Sequence, residues 1–192
     1  MRKVRNAANV SRLKKKGKEP SPPKLLKLDL GCGKTPKDGF EGVDIIDFGQ
    51  PHKVDLTSKW PWADGSVEEV HCSHFAEHLT PPQRIHFVNE LYRVLAPEGK
   101  CQLIVPHWAS GRAYGDLTHQ WPPVAEMWFY YLSKEWRESQ APHNVDYKCD
   151  FTVTWGYSLH PSLAPRNLEY QQNALQWYKE AAQDIVATMV KK

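Results

Sequence analysis

The stretch Leu25–Asp44, LLKLDLGCGKTPKDGFEGVD, decides the fold of this chain. Leucines dominate Leu25–Leu30, with Asp29 set among them, and this pattern predicts a short buried strand that ends in a turn. Gly31 and Gly33 follow at once. Because neither carries a Cβ, the backbone can turn sharply there and approach a ligand closely.

A second strand is predicted at Gly42–Ile46, with Asp44 near its end. In nucleotide-binding α/β folds a carboxylate in this place accepts hydrogen bonds from ribose hydroxyls. The dinucleotide fingerprint is incomplete, because Thr35 stands where a third glycine is expected and Asp44 follows Gly31 by 13 residues. The short spacing leaves little room for a helix between the two strands. An ordinary tight turn remains the alternative for these residues taken alone.

Length and composition indicate one globular domain. The 192 residues are 41% hydrophobic and 11% aromatic, enough for a sizeable core, and no apolar run reaches the length of a membrane span. No signal peptide is visible, and the cysteines form no closely spaced pair, although Cys32, Cys72, Cys101 and Cys149 are all present. We therefore expect a reduced, cytoplasmic protein.

Charge divides the chain into two parts. Residues 1–24 hold nine basic residues and one acidic residue, whereas the remainder is mildly acidic. Pro20–Pro23 separates them, so we predict a basic flexible arm at 1–24 and a single domain at 25–192. The arm could contact nucleic acid or act as a solubilising tail, and the sequence leaves both open.

The downstream elements alternate between strand and helix. Strands are predicted at Val67–Ser73 and Cys101–Val105, with a helix between them that begins at the cap residue Thr80 and has Gln83 at its third position. This order is typical of a parallel α/β sheet. Further on, a helix is predicted across 124–138, a strand across 147–155, a helix across 168–182 and a final strand across 184–190.

The ordered set of motifs resembles the class I S-adenosylmethionine-dependent methyltransferases, in particular the small methyltransferase type 11-like group common in bacteria and phages. The matching features cover roughly residues 25–106, with Glu98 replacing a glycine of the family pattern. They are Leu28–Gly33, Val43-Asp44, Asp55-Leu56, Trp60–Ser66, Val70–Ser73, Glu77–Leu79 and Glu90–Gly99. The resemblance implies a Rossmann-like, mostly parallel seven-stranded sheet with helices on both faces, a last antiparallel pair and an acceptor-side insertion at about 107–146.

The resemblance also implies a cofactor, S-adenosyl-L-methionine, and residues to bind it. Asp44 would hold the ribose hydroxyls, Asp55 would accept from the adenine amino group and Leu56 would pack on the ring. The complete set of implied cofactor contacts is Asp29, Gly31, Cys32, Gly33, Asp44, Ile45, Asp55, Leu56, Ser73 and His74.

On the acceptor side, Asp116-Leu117-Thr118-His119 resembles an Asp-x-Thr-His element of some family members. Asp116 would orient His119, which would act as a base or bind the acceptor. A loop whose Asp and Thr bond only local backbone is the alternative. Substrate-binding residues are predicted at His107, Trp108, Arg112 and Tyr114.

A histidine-rich segment raises a metal site as a further alternative. It contains His71, Cys72, His74, Glu77 and His78. The His-x-x-Glu-His order differs from the His-Glu-x-x-His of zinc hydrolases, so we expect no metal here. The leading prediction is a methyltransferase of unknown acceptor; the alternative is a non-catalytic nucleic-acid-binding or assembly module that keeps the fold.

Overall fold

A computed structural model describes residues 24–192. The predicted arm at 1–24 therefore lies, but for its last residue, outside the described residues. Among the described residues, no helix has the length and apolar character that crossing a membrane requires.

Seven strands form one sheet in the order β3-β2-β1-β4-β5-β7-β6. The strands from β3 to β5 are parallel, and β7 runs antiparallel to both of its neighbours. This confirms the predicted fold class, including the antiparallel last pair. The strands are β1 Leu26–Leu30, β2 Glu41–Asp44, β3 His52–Lys53, β4 Val67–Ser73, β5 Leu95–Pro106, β6 Phe151–Leu159 and β7 Ala182–Lys191.

In the described residues 24–192, five α-helices and a short 3-10 helix at Ala76–His78 accompany the sheet. The α-helices are α1 Pro81–Val94, α2 Arg112–Gly115, α3 Glu126–Tyr130, α4 Lys134–Gln140 and α5 Leu168–Trp177. The longest, α1, begins where the sequence predicted, because the backbone N–H of Thr80 donates to Gln83 Oε1 at 2.9 Å. Its inner face packs on the sheet through Phe87, Val88 and Leu91, all fully buried. No helix is described between β1 and β2, in agreement with their short spacing.

The strand order reverses at β1 and β4, which lie side by side in the centre of the sheet. The chain leaves β1 towards one edge and returns at β4 to build the other half. In open α/β sheets the crevice at the carboxyl ends of such strands is where ligands bind. This edge therefore positions the candidate site.

The segment Glu90–Gly99, which includes the end of α1, holds the turn at 60–64 through hydrogen bonds. Arg93 bonds to Glu90 at 2.7 Å and donates to the carbonyl oxygens of Trp60 and Trp62 and to Asp64. Glu90 in turn accepts the backbone N–H of Trp60 at 2.7 Å. The ion pair raises the pKa of Arg93. The Glu-x-x-Arg spacing thus fixes the turn before β4 on the end of α1.

Several predicted elements were wrong in extent. The strand expected at Cys101–Val105 already begins at Leu95, and the strand expected at Gly42–Ile46 ends at Asp44. The helix expected at 124–138 is two helices: α3 ends at Tyr130, and Ser133 caps the start of α4 by accepting from the Trp136 N–H. The strand expected at 147–155 is β6, which begins later, because Asn89 and Arg137 bond the backbone of 146–149. The helix expected at 168–182 ends at Trp177, ahead of the start of β7.

Candidate functional site

The turn after β1 is shaped by a close contact. Gly31 has φ +68°, and a Cβ built there would lie 2.6–2.8 Å from the side chain of Phe75. The φ value is one that side-chain-bearing residues adopt only with strain, and the Phe75 ring leaves no space for a methyl group. Both facts require glycine at this position, and together they bring the backbone of β1 against the segment that follows β4.

Asp44, at the end of β2, is held in place by two backbone groups. Its Oδ2 accepts the N–H of Gly33 and its Oδ1 accepts the N–H of Ile46, both at 2.9 Å. Each carboxylate oxygen can accept more than one hydrogen bond, so capacity for ligand hydroxyls remains. The predicted acceptor of ribose hydroxyls is therefore oriented before any ligand binds.

A cavity of about 390 Å³ opens beside Asp44, and we call it the first cavity. It contains six of the predicted cofactor residues and six that sequence reasoning missed. The predicted six are Gly31, Asp44, Ile45, Asp55, Leu56 and His74, and the missed six are Ile46, Val54, Thr57, Phe75, His78 and Leu79. The missed residues lie within six residues after the end of β2, β3 or β4, and this position at the carboxyl end of a strand was the available signal.

Polar and apolar groups are separated in the first cavity. Ile45 and Ile46 are 59% and 57% exposed at its rim, which leaves apolar surface for a ligand to cover. Asp55 forms a turn with Thr57, whose hydroxyl and backbone N–H lower the pKa of the Asp55 carboxyl. The cavity thus combines two fixed carboxylates with an apolar wall.

Four predicted cofactor residues do not line this cavity. Asp29 is 4% exposed and bonds to His71 and to the Lys37 backbone. Gly33 contacts the cavity indirectly, through its bond to Asp44. The other two, Cys32 and Ser73, lie beside it without lining it.

A second cavity of about 400 Å³ shares two walls with the first, namely His74 and His78. Its other lining residues are Glu77, Pro106, Arg112, Gly115, Asp116 and His119. His74 has φ +53°, an unusual backbone conformation for a residue with a side chain. The neighbouring Glu77 raises the pKa of His74. The two cavities therefore meet at the segment after β4.

The hypothesis that Asp116 orients His119 is wrong in its geometry. Asp116 Oδ1 instead accepts the backbone N–H and the hydroxyl of Thr118, at 2.8 and 2.7 Å, and these bonds lower the pKa of Asp116. His119 Nδ1 lies 3.2 Å from the carbonyl oxygen of Ala113. The Thr118 hydroxyl contacts His78 Nδ1 at 2.9 Å. Asp116 thus acts through Thr118 on His78.

Of the predicted substrate residues, the structure brings Arg112 to the second cavity, where it pairs with Asp184 at 2.8 Å. His107 is 5% exposed and bonds to Glu126, as does the indole of Trp108. Tyr114 lines a separate concavity with Trp108. These three residues do not line the second cavity.

Another concavity, of about 410 Å³, lies between α4 and the loop that follows it. Lys134, Arg137 and Tyr147 are among its lining residues, and it shares none with the first or second cavity. It is remote in sequence from every predicted site residue. The candidate site is therefore the paired cavities at the ends of β1, β2 and β4.

Comparison with known proteins agrees with this location. Residues 39–103 match a family model described as a methyltransferase domain. That span includes Asp44, Asp55 and Leu56 of the first cavity, and the His74–Leu79 segment between the cavities. A search of the curated proteins found no match to this sequence.

Solved structures share the fold at low sequence identity. A SAM-dependent methyltransferase from Archaeoglobus fulgidus has a TM-score of 0.62 and 20% identity, over 88% of this chain and 86% of that one. The 1,6-didemethyltoxoflavin-N1-methyltransferase of Burkholderia thailandensis was solved with S-adenosylhomocysteine. It has a TM-score of 0.52 and 14% identity, over 87% of this chain and 71% of that one. The [4+2]-cyclase SpnF has a TM-score of 0.50 and 15% identity, over 87% of this chain and 74% of that one. The cyclase shows that this fold alone does not fix the reaction.

Proposed function

We propose that this chain, which carries a methyltransferase domain on the class I methyltransferase fold, transfers a methyl group from S-adenosyl-L-methionine to an acceptor bound in the second cavity. The observation that carries the proposal is the first cavity. There Gly31, Asp44 and the pair Asp55-Leu56 converge from three separate segments on one space of about 390 Å³. The family match over residues 39–103 supports the same reading.

The donor set of the first cavity fits the cofactor. Asp44 offers carboxylate oxygens to ribose hydroxyls, and Asp55 offers a second carboxylate within the same wall. Leu56, Val54 and the exposed Ile45 supply an apolar surface for a planar base. When bound, S-adenosylmethionine supplies an electrophilic methyl group on a sulfonium.

The residues between the cavities would position the two reactants. His74 and His78 line both spaces, so groups bound on either side meet at these side chains. Methyl transfer depends chiefly on bringing the reacting atoms together in line, and this needs a fixed geometry more than a dedicated acid or base. The acceptor proton would leave through the second cavity, where His119 and the exposed carboxylate of Asp116 lie.

Two further proposals concern the setting of the enzyme. A reducing, cytoplasmic compartment is supported by four free thiols, of which Cys72, Cys101 and Cys149 are buried. Burial raises the pKa of Cys101 and Cys149, to about 11 for Cys149, so their thiols remain protonated at neutral pH. Contact between the basic arm and nucleic acid is the second proposal, and it rests on the charge of residues 1–24.

Calorimetric titration with S-adenosylmethionine and S-adenosylhomocysteine tests the cofactor claim. We expect saturable binding that Asp44→Ala weakens by about 1.5–3 kcal/mol, the value of hydrogen bonds to a charged group. Asp38→Ala is the matched control, because Asp38 is an exposed aspartate in the same region that does not line the cavity. Absence of binding by the unaltered protein would refute the proposal.

A screen for methyl incorporation from labelled cofactor separates enzyme from binding module. We expect label to enter at least one acceptor pool, with His119→Ala lowering turnover while the cofactor affinity stays unchanged. Cofactor binding without methyl incorporation into any small molecule, RNA, DNA or protein pool would favour the non-catalytic module.

A further inference from the structure

Three potential metal ligands come together at the second cavity. One carboxylate oxygen of Glu77 and one ring nitrogen each of His78 and His119 all lie within 4.8 Å of one another. The two imidazoles pack edge to face, with ring centroids 4.7 Å apart. Because His119 is far from the other two in sequence, the His-x-x-Glu-His segment alone gave no sign of a third ligand.

Glu77 is the unusual member of this cluster. It is 4% exposed, and neither carboxylate oxygen has a hydrogen-bond partner among the described residues. His74 Nδ1 lies 3.3 Å from Oε1, close enough for an ion pair but without the alignment of a hydrogen bond. The nearby guanidinium of Arg84 donates to backbone carbonyls instead.

A buried carboxylate without donors is costly. Removing an ionised group from water costs several kcal/mol unless charge or hydrogen bonds replace the solvent. The protein offers Glu77 one half-exposed imidazole and no aligned donor. A bound cation would supply the missing compensation.

The hydrogen bonds around the two histidines leave the same nitrogen available on each ring. The Thr118 hydroxyl donates its single proton to Asp116, so it must accept a proton from His78 Nδ1. The Nδ1 of His119 faces the carbonyl oxygen of Ala113, which can only accept. Both rings therefore carry the proton on Nδ1, and Nε2 keeps a free lone pair.

This is the arrangement found around metal-binding histidines, which donate their second ring N–H to a carbonyl or another fixed acceptor. Two imidazoles and one carboxylate are ligands suited to Zn²⁺ and related divalent ions. Three protein ligands also leave a coordination position open.

We propose that Glu77, His78 and His119 bind one divalent transition-metal ion at the wall of the second cavity. Glu77 contributes a carboxylate oxygen and each histidine its Nε2, while Thr118 and the Ala113 carbonyl orient the two rings. The site revises the expectation, drawn from the sequence, that the chain has no metal. The metal site does not depend on the proposed function. A part for the ion in holding the acceptor would rest on that function, because the three ligands line the cavity proposed to bind the acceptor.

Zinc binding to the full chain tests the site. The protein is stripped with a chelator and titrated with Zn²⁺ alone by calorimetry, and the expected result is one ion bound per chain. Glu77→Gln and His119→Ala each lower the affinity at least tenfold. Thr118→Val removes the acceptor that orients His78 and lowers affinity by roughly 10–100-fold, the effect of losing an outer-shell partner. His143→Ala is the control, because His143 is exposed and outside the cluster.

Melting temperatures of the same variants show whether each remains folded. His119 is partly exposed, so His119→Ala decides the question even if Glu77→Gln fails to fold. Saturable binding with unchanged affinity in His119→Ala, or no saturable binding by the unaltered protein, overturns the proposal. Titration with S-adenosylmethionine is run in parallel. Cofactor binding without zinc binding would reject the metal site and leave the proposed function standing.

Discussion

Asp29 and His71 form a buried pair across neighbouring strands, with Oδ1 of the carboxylate 2.8 Å from Nδ1 of the imidazole. The two residues are partners in the register of β1 and β4. The second carboxylate oxygen accepts the backbone N–H of Lys37 at 2.7 Å. Asp29 therefore ties the loop after Gly31 to the centre of the sheet, and any effect it has on cofactor binding would pass through that loop.

Replacing Asp29 is expected to destabilise the protein. Asp29→Ala removes two hydrogen bonds and leaves a largely buried imidazole and a backbone N–H without their acceptor, at a cost of about 3 kcal/mol. For a chain of this size we expect the melting temperature to fall by roughly 6–12 °C. Asp38→Ala, at an exposed aspartate, should change stability by at most about 0.5 kcal/mol. Equal melting temperatures for the two variants would contradict the bracing role.

Gly31→Ala is expected to be more harmful than Gly33→Ala. Both glycines have positive φ, +68° and +56°, so both substitutions carry a backbone cost of about 1 kcal/mol. At Gly33 no atom lies within 4 Å of the added Cβ, whereas at Gly31 the Phe75 side chain lies 2.6–2.8 Å away. Denaturant unfolding should show about 1–3 kcal/mol of additional loss for Gly31→Ala, from overpacking.

A second substitution, at Phe75, tests whether the Phe75 side chain causes the difference between Gly31→Ala and Gly33→Ala. Replacing Phe75 by Ala in the Gly31→Ala background should reduce the additional cost of Gly31→Ala, because Cγ and Cδ2, two of the three closest atoms, would be absent. If the Gly31→Ala and Gly33→Ala variants unfold at the same denaturant concentration, the contact with Phe75 is not the reason why position 31 requires glycine.

Glu126 is expected to make stability depend on acid pH. Burial of the Glu126 carboxyl raises its pKa, but hydrogen bonds from His107, from the backbone N–H of Glu126 and from Tyr157 outweigh this effect and bring the pKa to about 2 from 4.5. Since the folded-state pKa is depressed, the contribution to stability is complete above about pH 4.5. It disappears as pH falls towards 2.

Urea unfolding between pH 3 and pH 6 measures this contribution. Glu126→Gln should lose roughly 2 kcal/mol relative to the unaltered protein at pH 6, and the gap should narrow as the pH falls. Glu138→Gln is the matched control, because the Glu138 side chain is 68% exposed. A gap that stays constant from pH 6 to pH 3 would show that the Glu126 charge is not responsible.

The basic arm is expected to be separable from the fold. Deleting residues 1–22 should leave the melting temperature nearly unchanged, because the arm precedes the proline-rich break at Pro20–Pro23 and holds few apolar residues. If the arm binds nucleic acid, the deletion should abolish retention of DNA or RNA that falls steeply with salt. A large loss of thermal stability would instead show that the arm is an integral element.

The sequence by itself determined the elements whose signals are local. The leucine run before Gly31 predicted β1, the boundaries of β4 were predicted at Val67–Ser73, and Thr80 with Gln83 marked the start of α1. In each case the interacting groups are close in the chain, so the local sequence pattern is enough to predict the element. The structure also brings Asp44, Asp55 and Leu56 together in the first cavity, and their roles towards a cofactor stay a prediction.

Only the tertiary structure decided which distant side chains meet. Strand register brought Asp29 to His71, and packing of the loop after β5 brought His119 to Glu77 and His78. Asp116, the acidic partner expected for His119, instead accepts hydrogen bonds from the backbone N–H and the hydroxyl of Thr118. Such pairings depend on how separate segments pack, and no local propensity encodes that geometry. The order of residues therefore predicted the fold and part of the first cavity, whereas packing between segments distant in the sequence determined which side chains meet in the second cavity.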